Sequence, residues 1–205
     1  MIQNIVFDMG QVLIHWHPDL FTEKFDLSEA DKKLLVEEAV FKNEWIAMDE
    51  GTVTLAQGYE RICARLPQRL HPYVDQLINH WWEICLSPME GMSELLSELK
   101  SRGYGLYVLS NAAPSFHQYF HKIPGARYFD GLYVSADHLL LKPHPEIYRS
   151  FLNTFSLKGE NCFFIDDREE NIVGASRVGM KGVVYKGDVA TLRRDLNEAG
   201  IYCKQ

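Results

Sequence analysis

Four groups of reactive side chains punctuate the chain, three of them directly behind short apolar runs. Asp8 follows Ile5-Val6-Phe7, and Ser110 with Asn111 follows Leu106-Tyr107-Val108-Leu109. Lys142 stands before Pro143, and Asp166-Asp167 follow Cys162-Phe163-Phe164-Ile165. A lone aspartate after a strand is ordinarily an Asx turn or a helix cap. The joint set has a different use: one carboxylate as nucleophile, a hydroxyl, amide and amine as a phosphate cradle, and an acidic pair for a hard cation. Three carboxylates gathered in one place repel one another unless a cation neutralises them. Mg²⁺ meets that need, because it takes one or two carboxylates together with waters and a substrate phosphate. Asp8 would then attack phosphorus, giving an aspartyl-phosphate that water hydrolyses. Ser110, Lys142 and the metal would stabilise charge on the equatorial oxygens.

For these groups to meet, the apolar runs must be neighbouring strands. Residues 2–7, 104–109, 131–135, 162–166 and 182–185 are rich in Val, Ile, Phe, Tyr and Leu, as buried parallel strands require. Helical patterns separate them. Ser87-Pro88-Met89-Glu90 reads as an N-cap with a capping box, opening a helix through Leu95, Leu96 and Leu99 that stops at Arg102-Gly103. A second helix begins near Pro145 and buries Ile147, Tyr148, Phe151, Leu152 and Phe155. This alternation predicts an α/β fold: a doubly wound, Rossmann-like parallel sheet, whose ligands bind beyond the carboxyl ends of the strands. Residues 18–86 break the pattern with helical signals alone, among them Ser28 before Leu34-Leu35-Val36, Gly51 as a separator, and Thr54-x-x-Gln57 as a capping box. The expected division is a core of residues 1–17 and 87–205 with an inserted helical cap, 18–86.

Composition narrows the partners. A formal net charge of -7 argues against nucleic acid, whose backbone wants a basic surface, but permits a small phosphorylated metabolite if a lysine and a metal supply local positive charge. No apolar run reaches membrane-spanning length, and no basic, cleavable leader is visible at the start. Cys63, Cys85, Cys162 and Cys203 form no zinc-like spacing and read as reduced thiols, which fits a cytoplasmic protein.

Asp8-Met9-Gly10-Gln11-Val12, Leu109-Ser110-Asn111, Lys142-Pro143 and Phe164-Ile165-Asp166-Asp167-Arg168-Glu169-Glu170-Asn171 resemble the four ordered motifs of the haloacid dehalogenase-like hydrolase superfamily. The likeness spans nearly the whole chain and is nearest to the capped subgroup that includes α-glucose-1-phosphate phosphatases. It implies Asp8 as nucleophile, Ser110, Asn111 and Lys142 as phosphate holders, and Mg²⁺ held by Asp8, Asp167 and the Gly10 carbonyl. Asp166 would act through the metal's waters, and Asn171 would brace the loop. The implied substrate is a sugar phosphate. One position departs from the family pattern: a second aspartate is usual two residues after the nucleophile, as proton donor, and Gly10 stands there instead. His15 and His17 are the nearby candidates for that proton, with hinge residues as the alternative reading.

Other readings predict different things. A metal-independent 2-haloacid dehalogenase would lack the paired Asp166-Asp167. A receiver domain would carry its acidic pair after the first strand rather than the last. A non-catalytic phospholigand-binding regulator on the same scaffold is suggested by Gly10 and opposed by the intact nucleophile and lysine. Glu44, Trp45 and Met48 are candidates for touching the leaving group. Trp45, Trp81 and Trp82 are otherwise expected to pack against their own helices, Met89 and Met92 to fill the core, and Arg193-Arg194 to lie on a solvated face.

Overall fold

The structure is a computed structural model that describes residues 1–16, 18–40 and 42–201, with no side-chain detail at 18–20, 84 and 85. His17 and Cys203 fall outside the described residues, as does the side chain of Cys85. Five parallel strands form the central sheet: β1 (Asn4–Phe7), β4 (Gly105–Ser110), β5 (Gly131–Val134), β6 (Cys162–Asp166) and β7 (Lys181–Val184). Their spatial order is β5-β4-β1-β6-β7. All four strand contacts are parallel, so every carboxyl end points the same way. The chain winds outward from β1 through β4 to β5, then returns to the other side of β1 for β6 and β7. That reversal opens a crevice at the carboxyl end of β1, where such sheets bind ligands.

Strand alternation explains why both faces are covered. Ile5, Phe7, Leu106, Val108, Phe163 and Ile165 belong to one apolar cluster, whereas Val6, Leu109, Cys162 and Phe164 belong to another. The second is closed by helix α8 (Pro145–Thr154) through Ile147, Tyr148, Phe151 and Leu152. Helix α9 (Glu169–Ser176) adds Ala175. The first is closed by α6 (Met92–Ser101) and α10 (Val189–Glu198), and Met89 and Met92 are buried in it. Arg102 and Gly103 end α6 as the sequence predicts, with Gly103 at φ +86°.

Between the first and fourth strands the chain forms a two-residue antiparallel ribbon, β2 (Ile14–His15) with β3 (Ser87–Pro88). This corrects the reading of Ser87-Pro88 as a helix start. Met89 N–H donates to Leu13 O at 3.0 Å, so the segment is spent on joining the two arms of the chain, and α6 begins only at Met92 behind Gly91. The elements between the ribbon arms are all helical: α1 (Pro18–Glu23), α2 (Glu29–Ala39), α3 (Asn43–Glu50), α4 (Leu55–Cys63), a 3₁₀ turn at Gln68–Leu70 and α5 (His71–Cys85). Ser28 caps α2, Thr54 and Gln57 form the expected capping box on α4, and Gly51 ends α3 in a left-handed conformation. Buried residues of this segment, Phe21, Leu35, Ile62, Val74 and Ile78 among them, run continuously into the first sheet cluster. A short helix α7 (Phe116–Tyr119) follows β4. Arg193 is not simply solvated: it donates to Glu98 at 2.6 Å, pinning α10 to α6.

Candidate active site

Asp8 stands one residue past β1, Ser110 ends β4 and Asp166 ends β6, so the sheet brings the three to one rim. Asp8 N–H donates to Ile165 O at 2.8 Å, which extends the strand pairing into the site. Lys142 arrives from the loop before α8. Two features hold it there. Asn111 grips its main chain from both sides, Nδ2 donating to Lys142 O at 3.0 Å and Oδ1 accepting from Lys142 N–H at 2.9 Å. Behind it, α9 approaches the same loop so closely that a Cβ on Gly174 would lie 2.4 Å from Pro143 O. The side-chain amide expected to touch phosphate is thus engaged in fixing the lysine.

Lys142 Nζ donates to Asp8 Oδ1 and to Asp166 Oδ2, both at 2.7 Å, with its side chain only 1 % exposed. Asp166 Oδ1 accepts from Arg168 N–H at 2.9 Å and Asn171 Nδ2 at 2.8 Å, while Tyr148 OH donates to Asn171 O. Both Asp166 oxygens are therefore already held by the protein. Asp167 is half-buried beside them, and carboxylate oxygens of Asp8, Asp166 and Asp167 lie within 4.8 Å of one another.

The electrostatics match that crowding. Burial pushes the Asp8 carboxyl from 3.8 up to about 7, with Lys142 pulling it down and Asp166 pushing it further up. Burial, then Asp166, raises Asp167 as well. Burial opposes the charge on Lys142, but Asp166 and Asp8 outweigh it and shift the ammonium upward. With all three carboxylates ionised, the one ammonium bonded to them would leave negative charge uncompensated, which is why burial can hold protons on Asp8 and Asp167. That deficit, with oxygen donors on every side, fits a hard divalent cation. At Gly10 a built Cβ meets nothing within 4 Å, so the residue leaves open space beside Asp8.

The cavity above these groups measures about 460 Å³. Its floor is Asp8, Gly10, Ser110, Asn111, Lys142 and Asp167; its upper wall comes from the helical segment. Trp45, Ile46 and Met48 of α3, Leu55 of α4, and Ile78 and Trp81 of α5 line it, with Trp16 from the chain after β2. Trp16 sits 5.6 Å from Trp45 and 4.3 Å from Trp81, ring centre to ring centre. Trp45 and Met48, both candidates for touching the leaving group, are wall residues; Trp81 is one as well, which corrects the expectation that it only packs. Trp82 packs against Tyr119 of α7, across from the helical segment rather than against a helix of its own. Glu44 is not part of the lining; Arg65 holds it at 2.8 Å. His15 lies in the ribbon opposite Ser87 and is likewise absent from the lining, so the structure does not place it as proton donor. Asp49, which sequence reasoning passed over, does line the cavity. Its only signal was an acid two residues before a helix-ending glycine.

The family described as haloacid dehalogenase-like hydrolase matches residues 2–179. The chain belongs to that family. It is an enzyme, a phosphatase. A sesquiterpene phosphatase of Aspergillus oryzae is 30% identical over 190 residues, covering 91% of each chain. A glyceraldehyde 3-phosphate phosphatase of Pyrococcus furiosus is 30% identical over 122 residues, 57% of this chain and 50% of that one. Among solved structures, a family enzyme of Bacteroides thetaiotaomicron in complex with magnesium and inorganic phosphate is similar at TM-score 0.73 and 24% identity. That likeness covers 94% of this chain and 99% of the other, and speaks to the fold.

Proposed function

We propose that the protein is a Mg²⁺-dependent phosphomonoester hydrolase working through an aspartyl-phosphate on Asp8. The observation that carries this reading is the convergence of the Asp8, Asp166 and Asp167 carboxylates within 4.8 Å beside a buried lysine. Asp8, Asp167 and the Gly10 carbonyl would hold the ion, with Asp166 acting through its waters. Bound there, the cation supplies charge neutralisation that keeps Asp8 ionised and draws the phosphate in. Asp8 attacks phosphorus, and Ser110 with Lys142 orients the transferring group and offsets its charge. Asn111 serves the phosphate by holding Lys142, and Asn171 by holding Asp166. Residues 18–86 act as a cap that excludes water and meets the leaving group.

The metal reading makes a stability prediction whose sign follows from Asp8. Its folded value of about 7 lies above the ordinary 3.8, so burial favours the protonated form. The resulting stabilisation is full below the unfolded value and is lost as pH rises through the folded one. Metal-free protein should therefore melt at lower temperature at about pH 8 than at about pH 5. At about pH 8, Mg²⁺ at ~100-fold excess over its Kd should restore about 2.7 kcal/mol, a rise of roughly 5–10 °C. Calorimetry with and without EDTA checks it; equal melting temperatures at the higher pH would count against the site.

The substrate is a small phosphorylated metabolite. Six apolar or aromatic side chains, Trp16, Trp45, Ile46, Leu55, Ile78 and Trp81, offer a leaving group little to hydrogen-bond. They favour the monoester of an apolar alcohol over a sugar phosphate, and the sesquiterpene phosphatase relative points the same way. A sugar phosphate, as in the α-glucose-1-phosphate phosphatase subgroup, is the second reading. A panel of prenyl, aryl, flavin and sugar monophosphates with Mg²⁺ separates the two by kcat/KM. Trp45→Ala should remove about 2 kcal/mol of apolar contact, raising KM for the preferred apolar ester by roughly 30-fold. Preference for sugar phosphates, unaffected by Trp45→Ala, would overturn the apolar assignment.

A further inference from the structure

Breaking the ester of an ordinary alcohol expels an oxygen that is strongly basic, and a positioned acid is needed to protonate it. Among the described residues, the titratable or charged groups lining the cavity are Asp8, Asp49, Tyr119, Lys142, Asp167 and Arg168. Asp8 is the attacking group, and Asp167 belongs with the metal. Lys142 is spent on two carboxylates, and its shift is upward. Tyr119 OH donates to Met9 Sδ, and burial, Asp49 and Asp8 all make it a weaker acid. Asp49 remains.

We propose that Asp49, carried on α3 above the cavity, is the catalytic acid and base that stands in for the donor missing at Gly10. The inference rests on the phosphoryl-transfer reading above. Asp49 is built into place from three directions. Its carboxylate accepts a hydrogen bond from Ala113 N–H, in the loop that leaves Ser110. Its main-chain oxygen accepts from the Ser135 hydroxyl, which in turn accepts from Ala112 N–H at 2.9 Å. Two residues on, Gly51 at φ +80° lets the chain pass so close to the core that a Cβ there would lie 2.3 Å from Ala136 O. The end of α3 is thus docked on the loops behind β4 and β5. Burial raises the Asp49 carboxyl well above the ordinary value, and Asp8 raises it further, so a proton is retained for use.

As the Asp8 oxygen bonds to phosphorus and the bond to the leaving oxygen breaks, the Asp49 proton passes to that oxygen and the alcohol departs. The Asp49 carboxylate then takes a proton from water. The water oxygen bonds to phosphorus, the bond to Asp8 breaks, and phosphate leaves with both aspartates restored.

The test compares first-turnover rates on two esters with the Mg²⁺-loaded, full-length protein. Para-nitrophenyl phosphate has a leaving group that needs no proton; phenethyl phosphate has one that does. Asp49→Asn keeps an acceptor for Ala113 N–H and should slow phenethyl phosphate by about 10²–10⁴-fold, with para-nitrophenyl phosphate slowed less than ~10-fold. A burst of nitrophenol followed by slow turnover is expected, because the phosphoenzyme has lost its base. Adding Gly10→Asp in the same protein should recover the alkyl ester at least ~10-fold, since the space beside Asp8 is open. If Asp49→Asn does not melt cooperatively, Asp49→Ser is read by the same rate ratio. An unchanged ratio in either variant, whether both rates fall together or neither falls, would overturn the assignment. Wild-type protein inert toward both esters would instead overturn the phosphatase reading, and this inference with it.

Discussion

Asp8→Asn is expected to reduce phosphate release at saturating substrate by at least ~10⁴-fold while the protein remains folded. Asparagine fills the same volume, but its amide oxygen is a poor nucleophile. Its amide nitrogen, turned toward Lys142 Nζ, would repel the ammonium that now sits 2.7 Å from the carboxylate. The folded state should lose little, because an Asp8 carboxyl held at about 7 is already a costly ion at higher pH. Phosphate release and a thermal melt of the same preparation check both halves. Activity within tenfold of wild type would remove Asp8 from the chemistry.

Lys142→Met should be severe in both activity and stability. The lysine is the sole ammonium hydrogen-bonded to Asp8 and Asp166 among the described residues, and both acids are buried. Removing one partner of a buried ion pair typically costs about 3–5 kcal/mol, because charge is left uncompensated. For a chain of this length that corresponds to roughly 6–20 °C in melting temperature. Mg²⁺ should return part of the loss, since the vacated charge is the kind a cation supplies. The double variant Asp8→Asn/Lys142→Met should be more stable than the sum of the single changes predicts, as expected for residues in direct contact. Strict additivity would mean the pair does not interact in solution.

The sheet was legible because its strands are buried on both faces. Continuous apolar runs such as Ile5-Val6-Phe7 and Phe163-Phe164-Ile165 have few other uses, and a polar residue behind each one marks the crevice rim. Asp8, Ser110 and the Asp166-Asp167 pair were legible at the rim for that reason, whereas Lys142 comes from a loop and was marked only by Pro143 behind it. The upper wall was legible only in part. Helical periodicity says which face of α3 or α5 is apolar, but not whether that face meets another helix or a cavity, so Trp81 reads as packing alone and Trp45 and Met48 only as candidates without an orientation. Asp49 looked like any acid near a helix end; only the docking of Gly51 against Ala136 turns it toward Ala113. Ser87-Pro88-Met89-Glu90 satisfied every local rule for a helix start and was overridden by pairing with Ile14-His15, a contact distant in sequence that no local rule contains.

The most direct test is an acid quench during steady turnover with Mg²⁺ and the best ester of the panel, followed by peptide mapping. Phosphate is expected on the peptide containing Asp8, on that aspartate alone, and absent from Asp8→Asn. Sustained turnover with the Asp8 peptide unmodified, or with phosphate on a different residue, would contradict the account.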